Sequence, residues 1–385
     1  MSAQPLVHWI EGGEACSARW RSESGAPPPK RVVLADDRTT ADDAYGLACQ
    51  GTALLWRGDF QNARQMLVAL ASRADRQARK PKKPAASSMS ASPAEAFHLH
   101  RQARAQRART LGALLVPLEA DFRIPLRRAP DIRQACAQAY GPAEGPSIVS
   151  LRALLGLIGA DQWRSKGIEI AALGGRIHPH YGVFAPIRSE YVDLIAAAPL
   201  PALTSSLSVA FDIGTGTGVL AAVLARRGIR RVVATDQDPR ALACARENLE
   251  RLGLLERVEL LETDLFPEGR AALVVCNPPW VPARPSSPLE RGIYDPGSQM
   301  LRGFLGALPA HLEPGGEGWL ILSDLAEHLG LRPRSELLAR FDAAGLEVIE
   351  RTDVRPKHPR VSDETDPLHA ARTAELTSLW RLAVR

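Results

Sequence analysis

Cysteine is scarce in this sequence, and the few cysteines are scattered. Their number, five, is odd, and none forms a C-x-x-C pair or a Cys/His cluster with zinc spacing. This pattern favours a reducing, cytosolic setting. The N-terminus lacks the basic-then-apolar order of a signal peptide. No run of about 18 apolar residues is present, so we expect a cytoplasmic protein without a membrane span.

Acidic residues are outnumbered in one part of the chain only. The net charge of +5 at pH 7 arises in residues 1–145, where 21 Lys and Arg face 14 Asp and Glu. Within that part, residues 73–109 hold ten basic residues and two acidic ones. Such a cluster can bind nucleic-acid phosphates. No aromatic side chains alternate with the charges, as they do in single-strand binders, so a solvated surface beside a linker is the alternative interpretation.

Composition and periodicity divide the 385 residues into three parts. Residues 1–145 show mostly helical periodicity, with a short strand near 30–34 and a polar low-complexity linker at 80–93. Their role is not evident from the sequence. Residues 146–200 are predicted to contain a helix and a hairpin that lead into residues 178–184. We expect that last segment either to close over a cofactor as a lid or to pack as part of the hairpin.

The third part, residues 201–385, alternates strands and helices in a regular order. This alternation predicts a doubly wound, Rossmann-like α/β sheet whose central strands are parallel. The last strand, at about 376–384, comes late and has no helix after it. We therefore predict that it is an inserted antiparallel edge strand. The oligomeric state is left open by the sequence.

A glycine-rich loop, D-I-G-T-G-T-G, joins the first of these strands to its helix. The predicted ligand-binding residues of the loop are Asp212, Gly214, Thr215, Gly216, Thr217 and Gly218. Glycines permit φ > 0 and close approach of a ligand to the backbone, and the following helix presents free N–H groups. The loop also fits the dinucleotide fingerprint G-x-G-x-x-A. A carboxylate at Asp212, however, can accept from an ammonium or a bound water and would repel a pyrophosphate.

Two further carboxylates follow strands of the same sheet. Asp236 ends the second strand, which is the usual position of an acid that binds ribose hydroxyls. Asp264 follows the third strand and precedes Leu265 and Phe266, which could cover an adenine ring. Alternatively, Asp264 is a turn residue or a helix cap. A ligand with an adenine, a ribose and an ammonium group fits the three acids, and S-adenosylmethionine is therefore the predicted cofactor.

The chain later runs through a buried strand into Asn277, Pro278, Pro279 and Trp280. The prolines end the strand because neither can donate to a ladder, which leaves a stiff loop at the carboxyl end of a parallel strand. This loop offers an amide side chain, backbone carbonyls and an indole face. Such a set suits a flat group that carries NH2, held by two accepted hydrogen bonds and by stacking. An ordinary proline-rich strand exit is the alternative.

These motifs, in this order and spacing, resemble those of class I S-adenosylmethionine-dependent methyltransferases. The glycine loop, Asp236, T-D-L-F and N-P-P-W resemble the N-P-P-aromatic branch, which includes enzymes that methylate glutamines of release factors and ribosomal proteins. It also includes enzymes that methylate exocyclic amines of adenine or guanine. The resemblance covers about residues 165–385. It implies that Gly214 to Gly218, Asp236, Leu265 and Asn277 bind the cofactor, and that Asn277 to Trp280 bind the substrate.

Two features depart from the glutamine enzymes. Trp280 stands where those enzymes usually carry Tyr, so stacking survives but a hydroxyl is lost. The segment from Ala185 to Glu190 matches their Pro-Arg-Pro segment only loosely. These differences leave the substrate in doubt rather than the reaction.

The predicted activity is transfer of a methyl group to a planar nitrogen, in the first place the side-chain amide of a glutamine in a translation protein. One alternative is an exocyclic amine of RNA or DNA. Another is a non-methylating nucleotide-binding or NAD-type module, which gives the N-P-P-W loop no role. His178 and His180 lie at i, i+2, but no third ligand is positioned by the sequence, so we predict no metal site.

Overall fold

The computed structural model describes residues 5–79, 92–201, 209–357 and 363–385. Most of the predicted linker at 80–93 lies outside these ranges. The chain forms two compact units. One comprises Met1–Ala91 and His98–Gln162, and the other comprises Ser92–Phe97 and Trp163–Arg385. The domain boundaries expected from the sequence stay predictions.

The first unit is built on a six-stranded sheet with the strand order β1-β2-β6-β5-β4-β3. Its strands are β1 (Leu6–Glu11), β2 (Glu14–Arg21), β3 (Val32–Ala35), β4 (Ala53–Trp56), β5 (Leu114–Leu118) and β6 (Ser147–Ser150). The helices in this part of the sequence are α1 (Ala41–Cys49), α2 (Phe60–Arg79), α3 (Pro93–Gly112) and α4 (Arg133–Tyr140). The short strand predicted near residues 30–34 corresponds to β3.

The sheet of the first unit was not expected from the helical periodicity of residues 1–145. More of these residues are helical than extended, as predicted, but β4 and β5 are apolar runs in which every residue is buried. A short continuous apolar run fits a buried strand and a buried helix segment equally well. The helix predicted at the start of residues 146–200 likewise begins only at Leu151, because the preceding residues form β6.

The described part of the basic segment 73–109 lies on α2 and α3. Arg73 donates to the Asp42 carboxylate at 2.7 Å, and Arg107 donates to Asp75 at 2.7 Å. These two arginines are therefore partly neutralised by neighbouring acids. Contact with nucleic acid through this segment stays a prediction.

The second unit contains the predicted doubly wound sheet. Its strands are β7 (Ile168–Ile170), β8 (Gly175–Ile177), β9 (Val209–Ile213), β10 (Arg231–Asp236), β11 (Val258–Glu262), β12 (Ala271–Cys276), β13 (Leu312–Ser323), β14 (Leu346–Val354) and β15 (Thr377–Val384). The helices from residue 151 onward are α5 (Leu151–Lys166), α6 (Glu190–Ala197), α7 (Val219–Arg226), α8 (Pro239–Arg251), α9 (Gln299–His311), α10 (Leu325–His328), α11 (Arg334–Ala343) and α12 (His369–Ala374). β7 and β8 form the predicted antiparallel hairpin.

Seven of these strands form one sheet in the order β11-β10-β9-β12-β13-β15-β14. The strands from β11 to β13 in this order are parallel to their neighbours, which confirms the predicted parallel centre. β15 is inserted and antiparallel, as predicted, but it lies between β13 and β14 rather than at the edge. Its first four residues are buried, whereas the edge strand β14 exposes Val348 and Ile349. The burial of these four residues agrees with the interior position of β15.

Helices cover both faces of this sheet. On one face, Ala210 and Val275 pack with residues of α7, and on the other, Phe211 and Val274 pack with residues of α9. The strand order reverses between β9 and β12, so the carboxyl ends of these two strands border the crevice in which open α/β sheets bind ligands. No helix in the described ranges is long and apolar enough to cross a membrane.

Candidate active site

The predicted site residues follow three adjacent parallel strands. Ile213 at the end of β9 is level with Thr235 of β10 on one side and with Cys276 of β12 on the other. The glycine loop, Asp236 and Asn277 therefore lie side by side at the carboxyl edge of the sheet. Their proximity was expected from the sequence and results from the register of the parallel strands.

The glycine loop adopts a conformation that depends on its glycines. Gly214, Gly216 and Gly218 have φ values of 72°, 56° and 79°, a region that side chains with a Cβ rarely adopt. The N–H groups of Gly214 and Thr215 both donate to the carbonyl of Thr235, at 2.9 and 2.8 Å. The loop is thus fixed to β10 before the helix α7 begins.

Alanine at Gly218 is expected to destabilise the protein more than alanine at Gly216. Both changes force a side chain into the left-handed region, at a cost of about 1–2 kcal/mol. A Cβ at Gly218 would also lie 3.1 Å from Cα of Ala245 in α8, whereas nothing lies within 4 Å at Gly216. This overlap adds about 1–3 kcal/mol. Urea unfolding of the two variants measures the difference in unfolding free energy. Equal decreases in the two variants would show that α8 shifts to accommodate the Cβ at Gly218 without cost.

Asp212 is buried beneath the loop. Its Oδ2 accepts from the Thr215 hydroxyl at 2.6 Å and from the N–H of Ala221 in α7 at 3.0 Å. Burial raises the pKa of this carboxyl to about 6, although the two hydrogen bonds act in the opposite direction. Asp212 therefore links β9, the glycine loop and α7. Its predicted contact with an ammonium stays a prediction.

Asp236 is half-buried at the end of β10. Its Oδ2 accepts from the N–H of Gly216 at 3.0 Å, and its Oδ1 accepts from the N–H of Asp238 at 2.9 Å. Burial raises the pKa of this carboxyl. A carboxylate has about four lone-pair sites, so the group can still accept from a hydroxyl. This capacity fits a ribose.

Residues 264–266, which include the predicted adenine cover, follow β11. Asp264 is exposed, and Leu265 has a φ of 64° and accepts from the Thr235 hydroxyl at 2.6 Å through its carbonyl. The Phe266 ring stacks on His311, with centroids 4.3 Å apart. This ring packs against His311 of α9, and its role in an apolar adenine cover stays a prediction. Asp264 and Leu265 stay predicted ligand residues.

The N-P-P-W loop is held by contacts of its own. The indole Nε1–H of Trp280 donates to Oδ1 of Asn277 at 2.9 Å. A guanidinium nitrogen of Arg332, a residue that is 2% exposed, lies 3.3 Å from the Trp280 carbonyl. The following residue, Val281, bonds through its N–H to the carbonyl of Ile293 at 3.1 Å. These hydrogen bonds hold the loop that carries Asn277, and the stiffness expected from its prolines stays a prediction.

Comparison with known proteins identifies this region. Residues 174–332 match the family model of the methyltransferase small domain. They belong to that family. The match includes the glycine loop, Asp236, Asp264 and the N-P-P-W loop, and it confirms the predicted family together with its cofactor, S-adenosylmethionine.

Two curated relatives of this methyltransferase domain are named release factor glutamine methyltransferase. The protein from Cereibacter sphaeroides is 38% identical over 174 residues, which are 41% of this chain and 58% of the relative. The protein from Geobacter sulfurreducens is 36% identical over 149 residues, which are 35% and 49% of the two chains. The chain spans about half the length of these relatives.

Other similarities are shorter or more distant. A ribosomal protein L11 methyltransferase from Pelotomaculum thermopropionicum is 49% identical over 69 residues, which are 17% of this chain and 22% of the relative. Among solved structures, a methyltransferase from Pyrococcus furiosus is 21% identical, with a TM-score of 0.39, over 60% of this chain and 99% of that chain.

The methyltransferase domain offers donors and acceptors that fit the cofactor. Asp236 can accept from the ribose hydroxyls, and the backbone at Gly216 faces open space, as close approach of a ligand requires. The buried negative charge of Asp212 favours a cation in the same crevice. When bound, the cofactor supplies a methyl group on a positively charged sulfur.

Residues 178–184, the predicted lid of the methyltransferase domain, form hydrogen bonds and apolar contacts with α8. The His178 N–H donates to Oδ1 of Asn248 at 2.7 Å, and Nε2 of His180 lies 2.6 Å from the Glu247 carboxylate. Val183 is buried against Cys244. Both histidines are engaged with protein groups, and no metal-binding cluster of His, Cys, Asp or Glu is found in the residues that the structure describes. The lid stays a prediction.

Two residues beside Trp280 were not predicted from the sequence. The guanidinium carbon of Arg188 lies 5.0 Å from the Trp280 ring centroid, and Arg188 also contacts the carboxylate of Glu375 at 3.1 Å. Arg188 falls in the segment that matches the glutamine enzymes only loosely. Glu375 is 187 residues away in sequence and reaches the site because β15 is inserted beside β13. No local pattern indicates such a pair.

Proposed function

We propose that this chain is an N-methyltransferase that moves the methyl group of S-adenosylmethionine to the side-chain amide of a glutamine in a translation protein, either a release factor or a ribosomal protein. The observation that carries the proposal is the position of Asn277, one strand away from the glycine loop at the same edge of the sheet. The names of the relatives favour a glutamine as the acceptor.

The reaction requires a poor nucleophile to be oriented. The lone pair of an amide nitrogen is delocalised into its carbonyl. In the proposed mechanism, Oδ1 of Asn277 and the carbonyl of Pro278 accept the two amide hydrogens. These bonds direct the lone pair toward the methyl group and favour the pyramidal nitrogen that forms during transfer. No strong general base is needed, because the nitrogen becomes acidic once it is methylated.

Radiolabel transfer tests the proposed acceptor. The protein is incubated with S-adenosylmethionine that carries a labelled methyl group and with cell extract, and samples are then treated with ribonuclease, deoxyribonuclease or protease. We expect only protease to release the label. Release by a nuclease would instead support an exocyclic amine of RNA or DNA. Absence of label from every fraction, with the donor bound, would support the non-methylating alternative.

Binding of S-adenosylmethionine is expected to tighten as pH rises. The raised pKa of Asp212, about 6, means that this carboxyl is mostly neutral at lower pH and ionised at higher pH. A cation beside Asp212, such as the ammonium of the donor, favours the ionised form, so binding releases a proton, and affinity increases roughly tenfold for each pKa unit by which the cation lowers that pKa. Asp236, whose pKa is also raised, contributes in the same direction.

Calorimetric titration between about pH 5 and pH 7 measures this dependence. Asp212→Asn should reduce the pH dependence, because it removes one of the two titrating carboxyls. S-adenosylhomocysteine keeps the ammonium and lacks only the sulfonium charge, so it should retain the part of the pH dependence that the ammonium causes. An unchanged pH dependence in Asp212→Asn would show that ionisation of Asp212 is not coupled to binding of the donor.

A further inference from the structure

Trp280 is held from several directions. Its indole N–H donates to Asn277, its carbonyl accepts from Arg332, and the guanidinium of Arg188 lies over its ring. A cation over the face of an indole is attracted by the ring electrons. Arg188 therefore occupies one face of the Trp280 ring.

Arg188 is itself fixed by buried carboxylates. Its Nε donates to Glu190 at 2.8 Å, and both terminal nitrogens lie 3.1 Å from Oε1 of Glu375. Glu375 is 2% exposed and also accepts from the Ser323 hydroxyl at 2.6 Å. A planar guanidinium with several carboxylate contacts has little freedom to rotate. The cation above Trp280 is therefore held in place by the ends of β13 and β15.

The bond between Trp280 and Asn277 determines which way the Asn277 amide faces. The oxygen and nitrogen ends of an asparagine side chain have nearly the same shape, but only the oxygen can accept a hydrogen bond. An indole N–H can only donate, so it selects the orientation with Oδ1 toward Trp280. The oxygen keeps a second lone pair after accepting this bond, and that lone pair is free for a substrate hydrogen.

We propose that Arg188 is a positioning residue for methyl transfer: anchored on Glu375, it holds the Trp280 indole N–H on Oδ1 of Asn277 and so keeps the oxygen, not the NH2, toward the acceptor. The inference rests on the proposed function of Asn277. Arg188 acts through Trp280 and does not itself touch the reacting atoms.

The first test is kinetic. Arg188→Gln keeps a donor for Glu375 but removes the cation, and we expect it to lower the initial rate of label transfer into the protein fraction of cell extract about tenfold. The dissociation constant of S-adenosylmethionine should change less than about twofold. Arg188→Lys, which restores a cation without the planar fork, should recover part of the rate.

A double-variant cycle separates positioning from a general structural effect. Trp280→Phe removes the indole N–H while keeping an aromatic ring. In that background, Arg188→Gln should change the rate less than about twofold, because the bond that Arg188 supports is already absent. If the transfer rate of the double variant fell by the product of the two single-variant reductions, the proposal would be overturned.

The second test reads the indole directly and does not depend on methyl transfer. Solvent exchange of the Trp280 indole N–H can be followed by NMR, with the resonance assigned by its loss in Trp280→Phe. We expect Arg188→Gln to accelerate the exchange at least about fivefold, because Trp280 is less firmly held on Asn277. Unchanged exchange would overturn the proposal, whether or not the wild-type protein methylates a glutamine.

Arg351 provides a matched control. Its guanidinium carbon lies 4.8 Å from the Trp380 ring centroid, and its side chain is 24% exposed, against 22% for Arg188. It also pairs with a carboxylate, that of Asp353, at 2.7 Å. Arg351→Gln should leave the exchange of the Trp280 indole unchanged. If Arg188→Gln does not fold, Glu375→Gln weakens the same anchor, and an unchanged exchange rate in that variant would equally overturn the proposal.

Discussion

Replacing Asn277 by alanine is expected to lower methyl transfer by about 10²–10³-fold, the usual effect of removing one preorganised group that stabilises a transition state. Oδ1 of Asn277 is one of two acceptors proposed to orient the substrate nitrogen. Without it, the amide can rotate, and its lone pair is no longer directed at the methyl group. The rate of label transfer at saturating donor measures the effect.

The fold and the donor site should survive this change. The Asn277 side chain makes one hydrogen bond within the loop, to Trp280, so its loss costs about 1 kcal/mol of unfolding free energy. Asn62→Ala, the same substitution on α2, serves as the control and should retain wild-type transfer. Wild-type turnover in Asn277→Ala would remove Asn277 from the mechanism.

Replacing Asp236 by alanine is expected to weaken binding of S-adenosylmethionine about 100-fold. The carboxylate is proposed to accept from the ribose hydroxyls, and it also fixes the N–H of Gly216 in the glycine loop. A hydrogen bond to a charged group contributes about 1.5–3 kcal/mol, and about 1.4 kcal/mol corresponds to a tenfold change in affinity. Isothermal titration with the donor measures the loss.

The neighbouring acid Asp238 separates this effect from general damage to the region. Its side chain caps α8 by accepting from the N–H of Arg240 at 2.9 Å. Asp238→Ala should therefore cost about 1 kcal/mol of stability while leaving the affinity for the donor nearly unchanged. If Asp236→Ala binds the donor within about threefold of the wild type, the ribose assignment is wrong.

The sheet of the second unit was predictable because its sequence is locally consistent. Strands such as Ala271–Cys276 are continuous apolar runs, and each is separated from the next by a helical stretch or by turn residues. Carboxyl ends of neighbouring parallel strands must meet at one edge, so the sequence alone groups Asp212, Asp236 and Asn277. The neighbour of β15 could not be deduced, because strand order depends on long-range pairing.

Contacts within the site were less predictable than its residues. The hydrogen bond from the Trp280 indole to Asn277 depends on side-chain rotamers, which a sequence pattern does not specify. The left-handed conformation of Leu265 and the stacking of the Phe266 ring on His311 were likewise not evident from the sequence. Glu375 reaches Arg188 only through the insertion of a late strand. Such features are determined by tertiary packing rather than by local sequence.

The most direct test of the central claim is the chemical identity of the methylated group. The labelled protein from the extract is purified and digested, and the peptide that carries the extra methyl group is sequenced by tandem mass spectrometry. We predict that the methyl group lies on the side-chain nitrogen of a glutamine, and that the rate at which this peptide forms falls about 10²–10³-fold with Asn277→Ala. A methyl group on a base of RNA or DNA, or on lysine or arginine, would contradict the account.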